Sequence, residues 1–88
     1  MIESNWCVYI LLCSDNSLYT GITNDLTKRL DMHQNAKGAK YTRGRGPLKL
    51  VYQIPMEDKS SALKEEYRIK QLTKKKKLEL INGGIINN

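Results

Sequence analysis

Four side chains near the N-terminus could act together on a phosphodiester bond. Tyr9 and Tyr19 lie in two apolar, β-prone runs that a turn sequence at residues 14–17 separates. A basic helical segment follows, and it carries Arg29 and His33 one helical turn apart. Phosphoryl transfer needs a cation on the phosphate and a nearby proton carrier, which a guanidinium, an imidazole and phenols can supply. The pattern therefore predicts phosphodiester chemistry.

The turn between the two runs decides whether the tyrosines can cooperate. A two-residue loop at Asp15 and Asn16 would place Tyr9 and Tyr19 on opposite faces of a sheet. A three-residue loop at residues 14–16, with Asn16 in the left-handed conformation, places both phenols on one face. Tyr9 then lies opposite Gly21, where the absence of a side chain leaves space beside the phenols. We predict the three-residue loop.

The segment after the hairpin is predicted to be a helix over residues 25–35, with Asn24 as its N-cap. Leu26 and Leu30 define its buried stripe, His33 falls in line with that stripe, and Arg29 lies on its flank. The ordinary interpretation is a buried histidine with a satisfied hydrogen bond and an arginine whose stem packs. The position of this helix directly after the Tyr19 strand favours a functional pair instead.

A second helix, predicted over residues 59–72, carries the candidate metal-binding carboxylate. Glu66 projects between the apolar positions Ala62 and Ile69, and Glu65 projects on the other side of Ile69, so the helical wheel leaves both open. A surface ion pair between Glu66 and Lys70 is the ordinary alternative. One carboxylate is adequate for Mg²⁺, which keeps most of its waters and often binds substrate phosphate as well.

Between the two helices lies a basic, glycine-rich loop at residues 38–47. Clustered cations and mobile backbone amides suit a phosphate backbone, and an aromatic ring could stack on an exposed base. The candidate nucleic-acid-binding residues are Lys37, Lys40, Tyr41, Arg43 and Arg45. The lysine run at residues 74–77 is a weaker signal, because such a run on a helix is usually a solvated face.

Composition limits the class of protein. The 88 residues predict one domain, 1–88, with an ordered core at about 5–81, and the formal charge of +6 favours an anionic partner. Cys7 and Cys13 lie about 20 Å apart if both are on one strand, too far for a disulfide, so both thiols should be reduced. No leader or membrane-spanning run is evident, which predicts a cytoplasmic protein.

The elements combine into an α+β fold with the order β-β-α-β-α-α. Its sheet should have three mainly antiparallel strands, flanked by helices. The predicted strands are residues 6–13, 18–23 and 48–54, and the last helix is predicted over residues 74–81, ended by Asn82-Gly83-Gly84.

These spacings resemble the GIY-YIG nuclease superfamily over nearly the whole chain. Val8-Tyr9 and Tyr19-Thr20-Gly21 are similar to its two tripeptides, although Cys7 replaces the first glycine and Thr20 the isoleucine. Residues 18–26 and 37–42 look particularly like its small stand-alone bacterial branch. The resemblance matches Tyr9 and Tyr19 to the motif tyrosines and Gly21 to the motif glycine.

The same resemblance matches Arg29 to the family's arginine, His33 to a position that carries His or Tyr, and Glu66 to the metal carboxylate. It implies hydrolysis of a phosphodiester, DNA before RNA, with Mg²⁺ or Mn²⁺. A phenol ordinarily has a pKa near 10, so a tyrosine acts as the base only where the site lowers that pKa, as Arg29 and a metal would. Tyr9, Tyr19 and His33 all remain candidates for the base.

A different class of function also fits the sequence. The same fold could serve as a non-catalytic nucleic-acid-binding module, because fold does not guarantee chemistry. A protein partner that supplies specificity is a further possibility. The retention of all the site residues favours the nuclease.

Overall fold

The computed structural model describes residues 5–35 and 46–86. It confirms the predicted order β-β-α-β-α-α and the α+β class. The strands are β1 (Cys7–Leu12), β2 (Leu18–Thr23) and β3 (Lys49–Pro55), and the helices are α1 (Leu26–Gln34), α2 (Lys59–Lys70) and α3 (Lys74–Ile86).

The sheet is antiparallel with the strand order β2-β1-β3. β1 is central and packed on both faces, which explains why its sequence is almost entirely apolar. β2 and β3 are the edge strands, so one side of each is free of strand pairing.

The hairpin between β1 and β2 has the predicted three-residue loop. Asn16 has a φ of 73°, and the backbone N–H of Cys13 donates to the carbonyl of Ser17 at 2.9 Å. The resulting register pairs Tyr9 with Gly21 and Leu11 with Tyr19. Both phenols therefore lie on the same face of the sheet, as predicted.

Each face of the sheet has its own core. On the aliphatic face, Val8 and Ile10 of β1 pack with Ala62 and Ile69 of α2 and with Ile81 of α3. The opposite face, called here the tyrosine face, packs against α1. Its buried residues and their half-buried partners are Tyr9, Leu11, Cys13, Leu48, Tyr19, Leu26, Leu30 and Leu50.

The ends of α1 and α2 differ slightly from the prediction. Asp25, not Asn24, caps α1, because its side chain accepts from the backbone N–H of Lys28 while its own N–H donates to Thr23. Asp58 caps α2 by accepting from the backbone N–H of Ser61. α2 ends at Lys70 instead of residue 72.

The predicted end of α3 at Ile81 is wrong. The helix continues through Asn82 and Gly83 to Ile86. A glycine inside a helix costs only about 1 kcal/mol relative to alanine, which the packing of a helix can offset. β3 also differs by one residue at each end and includes Pro55, which a strand end tolerates.

Two further predictions concern cysteines and membranes. Cys7 and Cys13 are free, buried thiols, as predicted. Across residues 5–35 and 46–86, no helix has the length and apolar character that a transmembrane span requires.

Candidate active site

A buried phenol and a buried imidazole meet in the centre of the tyrosine face. The hydroxyl of Tyr9, in the central strand, lies 2.9 Å from Nε2 of His33, in the last turn of α1. Tyr9 is 0% exposed and His33 is 3% exposed. The histidine is as deeply buried as the aliphatic core, as its position on the wheel with Leu26 and Leu30 predicted.

Tyr19 connects this pair to the surface. Its ring centroid lies 6.3 Å from that of Tyr9 and 5.4 Å from that of His33, with the rings tilted or edge-on. Tyr19 is half-buried and belongs to the edge strand β2. It is therefore the member of the aromatic cluster that solvent can reach.

Gly21 makes this aromatic packing possible. A Cβ at this position would lie 2.7 Å from the Tyr9 hydroxyl oxygen, 2.8 Å from Cζ of Tyr9 and 3.0 Å from Cε2 of Tyr19. Real Cβ atoms are not found so close to other heavy atoms, and the neighbours here are two packed rings. The space beside the phenols that the sequence predicted at Gly21 is therefore occupied by the phenols themselves.

Arg29 lies beside the same cluster, one turn before His33 on α1. Its guanidinium lowers the pKa of Tyr9 and the pKa of His33. Its Nε is buried and has no hydrogen-bond acceptor among the residues that the structure describes. A buried charged donor without an acceptor is costly, so this atom is a candidate contact for an anionic group that the described residues do not supply.

Burial keeps the Tyr9 phenol protonated. The pKa of Tyr9 is raised to about 12. Burial is the main cause, with smaller increases from Tyr19 and Cys7, and together these outweigh the hydrogen bond and the charge of Arg29, which lower it. The sequence correctly anticipated the direction of the effect of Arg29. The loss of solvation outweighs the guanidinium, so Arg29 alone does not bring the pKa of Tyr9 below its ordinary value.

The pKa of the His33 imidazole shifts in the opposite direction to that of Tyr9. Burial, and then the positive charge of Arg29, lower the pKa of His33. The histidine is therefore neutral at pH 7, the state in which an imidazole can accept a proton.

The two candidate carboxylates of α2 point to different sides of the helix. Glu65 accepts two hydrogen bonds from Arg68, at 3.0 and 2.6 Å, and its charge acts on Tyr52 of β3. Glu66 lies 100° further round the helix, beyond the buried stripe of Ala62 and Ile69. Helix α2 also contacts β1 and β2. Because Glu65 is on the side of α2 near β3, the helical wheel places Glu66 on the side away from β3.

Glu66 and the aromatic cluster belong to different layers. Glu66 is half-buried and pairs with the exposed Lys70 at 3.3 Å. Its helix packs on the aliphatic face, whereas Tyr9, His33 and Tyr19 are on the tyrosine face. Glu66, the candidate metal ligand, is thus on a separate element. The residues that the structure brings together are Tyr9, Tyr19, Gly21, Arg29 and His33.

The predicted nucleic-acid-binding residues Lys37, Lys40, Tyr41, Arg43 and Arg45 lie outside the described residues. Two described residues were not singled out from the sequence. Thr20 is buried with a hydroxyl that has no partner among the described residues, and Tyr67 of α2 is 68% exposed. The helical wheel could have identified Tyr67, because it lies far from the stripe of Ala62 and Ile69.

The fold and these residues define a GIY-YIG catalytic domain. That family matches residues 5–79, which is most of the chain, and the chain belongs to it.

More narrowly, the chain is similar to small bacterial UPF0213 proteins. It is 61% identical over 74 residues to one from Oceanobacillus iheyensis, covering 84% of this chain and 86% of the relative. A relative from Clostridium perfringens is 60% identical over 79 residues, with 90% and 85% covered.

Two solution NMR structures are also similar. A UPF0213 protein from Bacillus halodurans has a TM-score of 0.58 at 47% identity, covering 88% of this chain and 82% of that one. A protein from E. faecalis has a TM-score of 0.59 at 37% identity, with 91% and 88% covered.

Proposed function

We propose that this protein hydrolyses phosphodiester bonds in nucleic acid, with DNA as the preferred substrate and a divalent cation as cofactor. One observation carries the proposal. The buried Nε of Arg29, beside the Tyr9–His33 hydrogen bond, has no acceptor among the described residues. A substrate phosphate would supply that acceptor and a charge of the right sign.

The positions of the aromatic residues support different roles for them. Tyr19, the half-buried phenol, contacts and orients the attacking water. Tyr9 is a positioning residue, because it is fully buried and its raised pKa of about 12 keeps it protonated. His33 is the neutral proton acceptor behind Tyr19, and its bond with Tyr9 holds the imidazole in place.

Arg29 binds the phosphate and neutralises the charge that develops on its oxygens during attack. A guanidinium already held in a buried site needs little reorganisation when that charge appears. Its two neighbours, Tyr9 and His33, are both neutral at pH 7, so the positive charge of Arg29 remains available to the substrate.

The residues present fit Mg²⁺ or Mn²⁺ in one particular way. Within residues 5–35 and 46–86, no group of three or more His, Cys, Asp or Glu side chains could enclose a metal. Mg²⁺ does not need such a cage, since one carboxylate, waters and substrate phosphate suffice. Glu66 would hold the ion, which when bound supplies Lewis-acid stabilisation of the leaving oxygen.

Glu66 is better suited than Glu65 for that role. Glu65 is engaged by two nitrogens of Arg68 on the β3 side of α2, whereas Glu66 pairs with the exposed Lys70 at 3.3 Å. The bidentate pair of Glu65 with Arg68 is stronger than the pair of Glu66 with Lys70, and it is harder for a metal ion to displace.

The charge of the chain supports a nucleic-acid substrate. The net charge is +6, and the basic segment at residues 37–45 supplies four of the cations. We propose that Lys37, Lys40, Arg43 and Arg45 contact the phosphate backbone near the site, and that Tyr41 stacks on a base.

The two neighbouring glutamates provide a matched test. Cleavage of labelled single-stranded, duplex and branched DNA, and of RNA, is measured with Mg²⁺ and with Mn²⁺. Glu66→Gln should reduce the rate by about 100-fold or more, because a metal ligand is lost. Glu65→Gln, which changes the same group one residue away, should retain nearly the wild-type rate.

Equal rates in the wild type and Glu66→Gln would reject the assignment of Glu66. No cleavage of any substrate, together with binding that weakens steeply with salt, would instead identify a non-catalytic binding module.

A further inference from the structure

We infer that Tyr67 of α2 is a stacking platform for an unpaired base of the substrate strand, next to the scissile phosphate. This inference rests on the proposed nucleic-acid substrate and goes beyond it by naming a second contact and the form of nucleic acid that it binds.

Tyr67 is unusually exposed for an aromatic residue. Its side chain is 68% exposed, and the exposed Leu63 lies one turn before it on the same face of α2. The phenol of Tyr67 takes no part in the aliphatic core below the helix, which Ala62 and Ile69 fill. The ring therefore presents a face on which a base could stack, and the neighbouring charges decide what kind of partner it fits.

The charges around Tyr67 indicate an anionic partner. Lys64 and Lys70, three residues before and after it, are its neighbours on the helix surface, and both are exposed. Lys70 also pairs with Glu66 at 3.3 Å, which places one of these cations between Tyr67 and the candidate metal ligand. An aromatic ring bordered by two lysines is the combination that binds single-stranded nucleic acid, with stacking on the ring and phosphates beside the cations.

The position of Tyr67 connects it to the candidate active site. It follows Glu66 directly and lies 100° further round the helix, on the flank of α2 opposite Glu65 and Arg68. A strand whose scissile phosphate lies near Glu66 would therefore extend past Tyr67. Because bases inside a duplex are stacked on each other, Tyr67 could receive only an unpaired base, as at a single-stranded segment or a branch.

The test measures binding of a fluorescent single-stranded oligonucleotide of about 12 nucleotides by anisotropy in EDTA, where no cleavage occurs. Tyr67→Ala should weaken binding by about tenfold, and Tyr67→Phe, which keeps the ring, should bind like the wild type. Leu78→Ala is the control, because Leu78 is a large apolar residue that is 42% exposed on α3. It should have no effect.

A second measurement locates the base. Oligonucleotides with one abasic site at each position in turn should include one that weakens wild-type binding about as much as Tyr67→Ala does. Tyr67→Ala should then be insensitive to that same abasic site, because the interaction is already absent.

The outcomes separate this inference from the proposed hydrolysis. Loss of affinity in Tyr67→Ala without cleavage by the wild type would support the platform and reject the nuclease. Normal cleavage with unchanged affinity in Tyr67→Ala would overturn the platform alone and leave the surface to a protein partner. An equal loss in Leu78→Ala, or no oligonucleotide binding at all, would also overturn the inference.

Discussion

Both faces of the central strand are fully buried, but the two faces of the sheet use that burial differently. On the aliphatic face, Val8, Ile10 and Ile69 are completely buried and carry no polar side-chain atoms. On the tyrosine face, an equally central position holds Tyr9, whose hydroxyl meets the buried imidazole of His33. A guanidinium nitrogen of Arg29 is buried beside them and has no acceptor in the part of the chain that the structure describes.

This difference separates stability from function within one small fold. Burying polar groups costs free energy unless every one has a partner, so apolar residues would be the cheaper way to fill the tyrosine face. If the proposed function is right, the aliphatic face supports the fold and the tyrosine face gives up part of that support for chemistry. Substitutions on the aliphatic face should reduce stability more than activity. Substitutions on the tyrosine face should reduce activity more than stability.

The largest expected effect on stability alone comes from the aliphatic face. Ile81→Ala, at a 5% exposed position in α3, should lower the free energy of unfolding by about 4 kcal/mol in a urea titration. The molecules that remain folded should cleave at the wild-type rate. Leu78→Ala on the same helix, where the side chain is 42% exposed, should cost less than about 1 kcal/mol. A loss of cleavage per folded molecule in Ile81→Ala would contradict the division between the faces.

At Gly21 we expect a smaller loss of stability together with a loss of cleavage. Gly21→Ala should lower the free energy of unfolding by about 3 kcal/mol, because the new Cβ would overlap the rings of Tyr9 and Tyr19. It should also abolish cleavage. Gly83→Ala is the matched control, since a Cβ there meets nothing within 4 Å. That change should stabilise α3 by up to about 1 kcal/mol. Similar stability in the two alanine variants would show that the phenols are not closely packed around Gly21.

The smallest effect is a pH dependence that belongs to the tyrosine face. Burial and Arg29 lower the pKa of His33, so the unfolded chain binds a proton more readily than the folded one. Stability should therefore decrease as the pH falls below the ordinary histidine pKa of about 6.5. His33 is the only histidine in the sequence, so His33→Gln should lack this decrease. The measurement is thermal unfolding at a series of pH values from about 7 to about 5, a range that includes the ordinary histidine pKa of about 6.5. An identical decrease in the variant would assign it to other groups.

Most of the fold could be predicted because its signals are local. The turn at residues 14–16 and the apolar runs beside it determine the register, and Asn16 adopts the left-handed conformation that this loop requires. The end of α3 could not be predicted, because the glycines at positions 83 and 84 indicate a helix end that the structure does not have. Packing of a helix against a sheet is a tertiary effect, and it overrides local propensity.

The candidate site was predictable in its membership but not in its ionisation. Spacing on one strand pair and one helix was sufficient to bring Tyr9, Tyr19 and His33 together. The raised pKa of Tyr9 depends on how completely the surrounding chain excludes water, which no local pattern reveals. The interaction of Glu65 with Tyr52 likewise depends on the tertiary fold, because Tyr52 is distant in sequence.

Arg29→Met tests the central claim most directly, because methionine keeps much of the aliphatic stem and removes the guanidinium. Both the rate of Mg²⁺-dependent cleavage and the free energy of unfolding are measured on the same variant. If Arg29 is kept for the substrate, cleavage should fall by about 100-fold or more. Stability should stay the same or rise by about 1 kcal/mol, since the substitution removes a buried donor that has no acceptor within residues 5–35 and 46–86. Wild-type cleavage combined with a clear loss of stability would contradict the account, because Arg29 would then support the fold and not the chemistry.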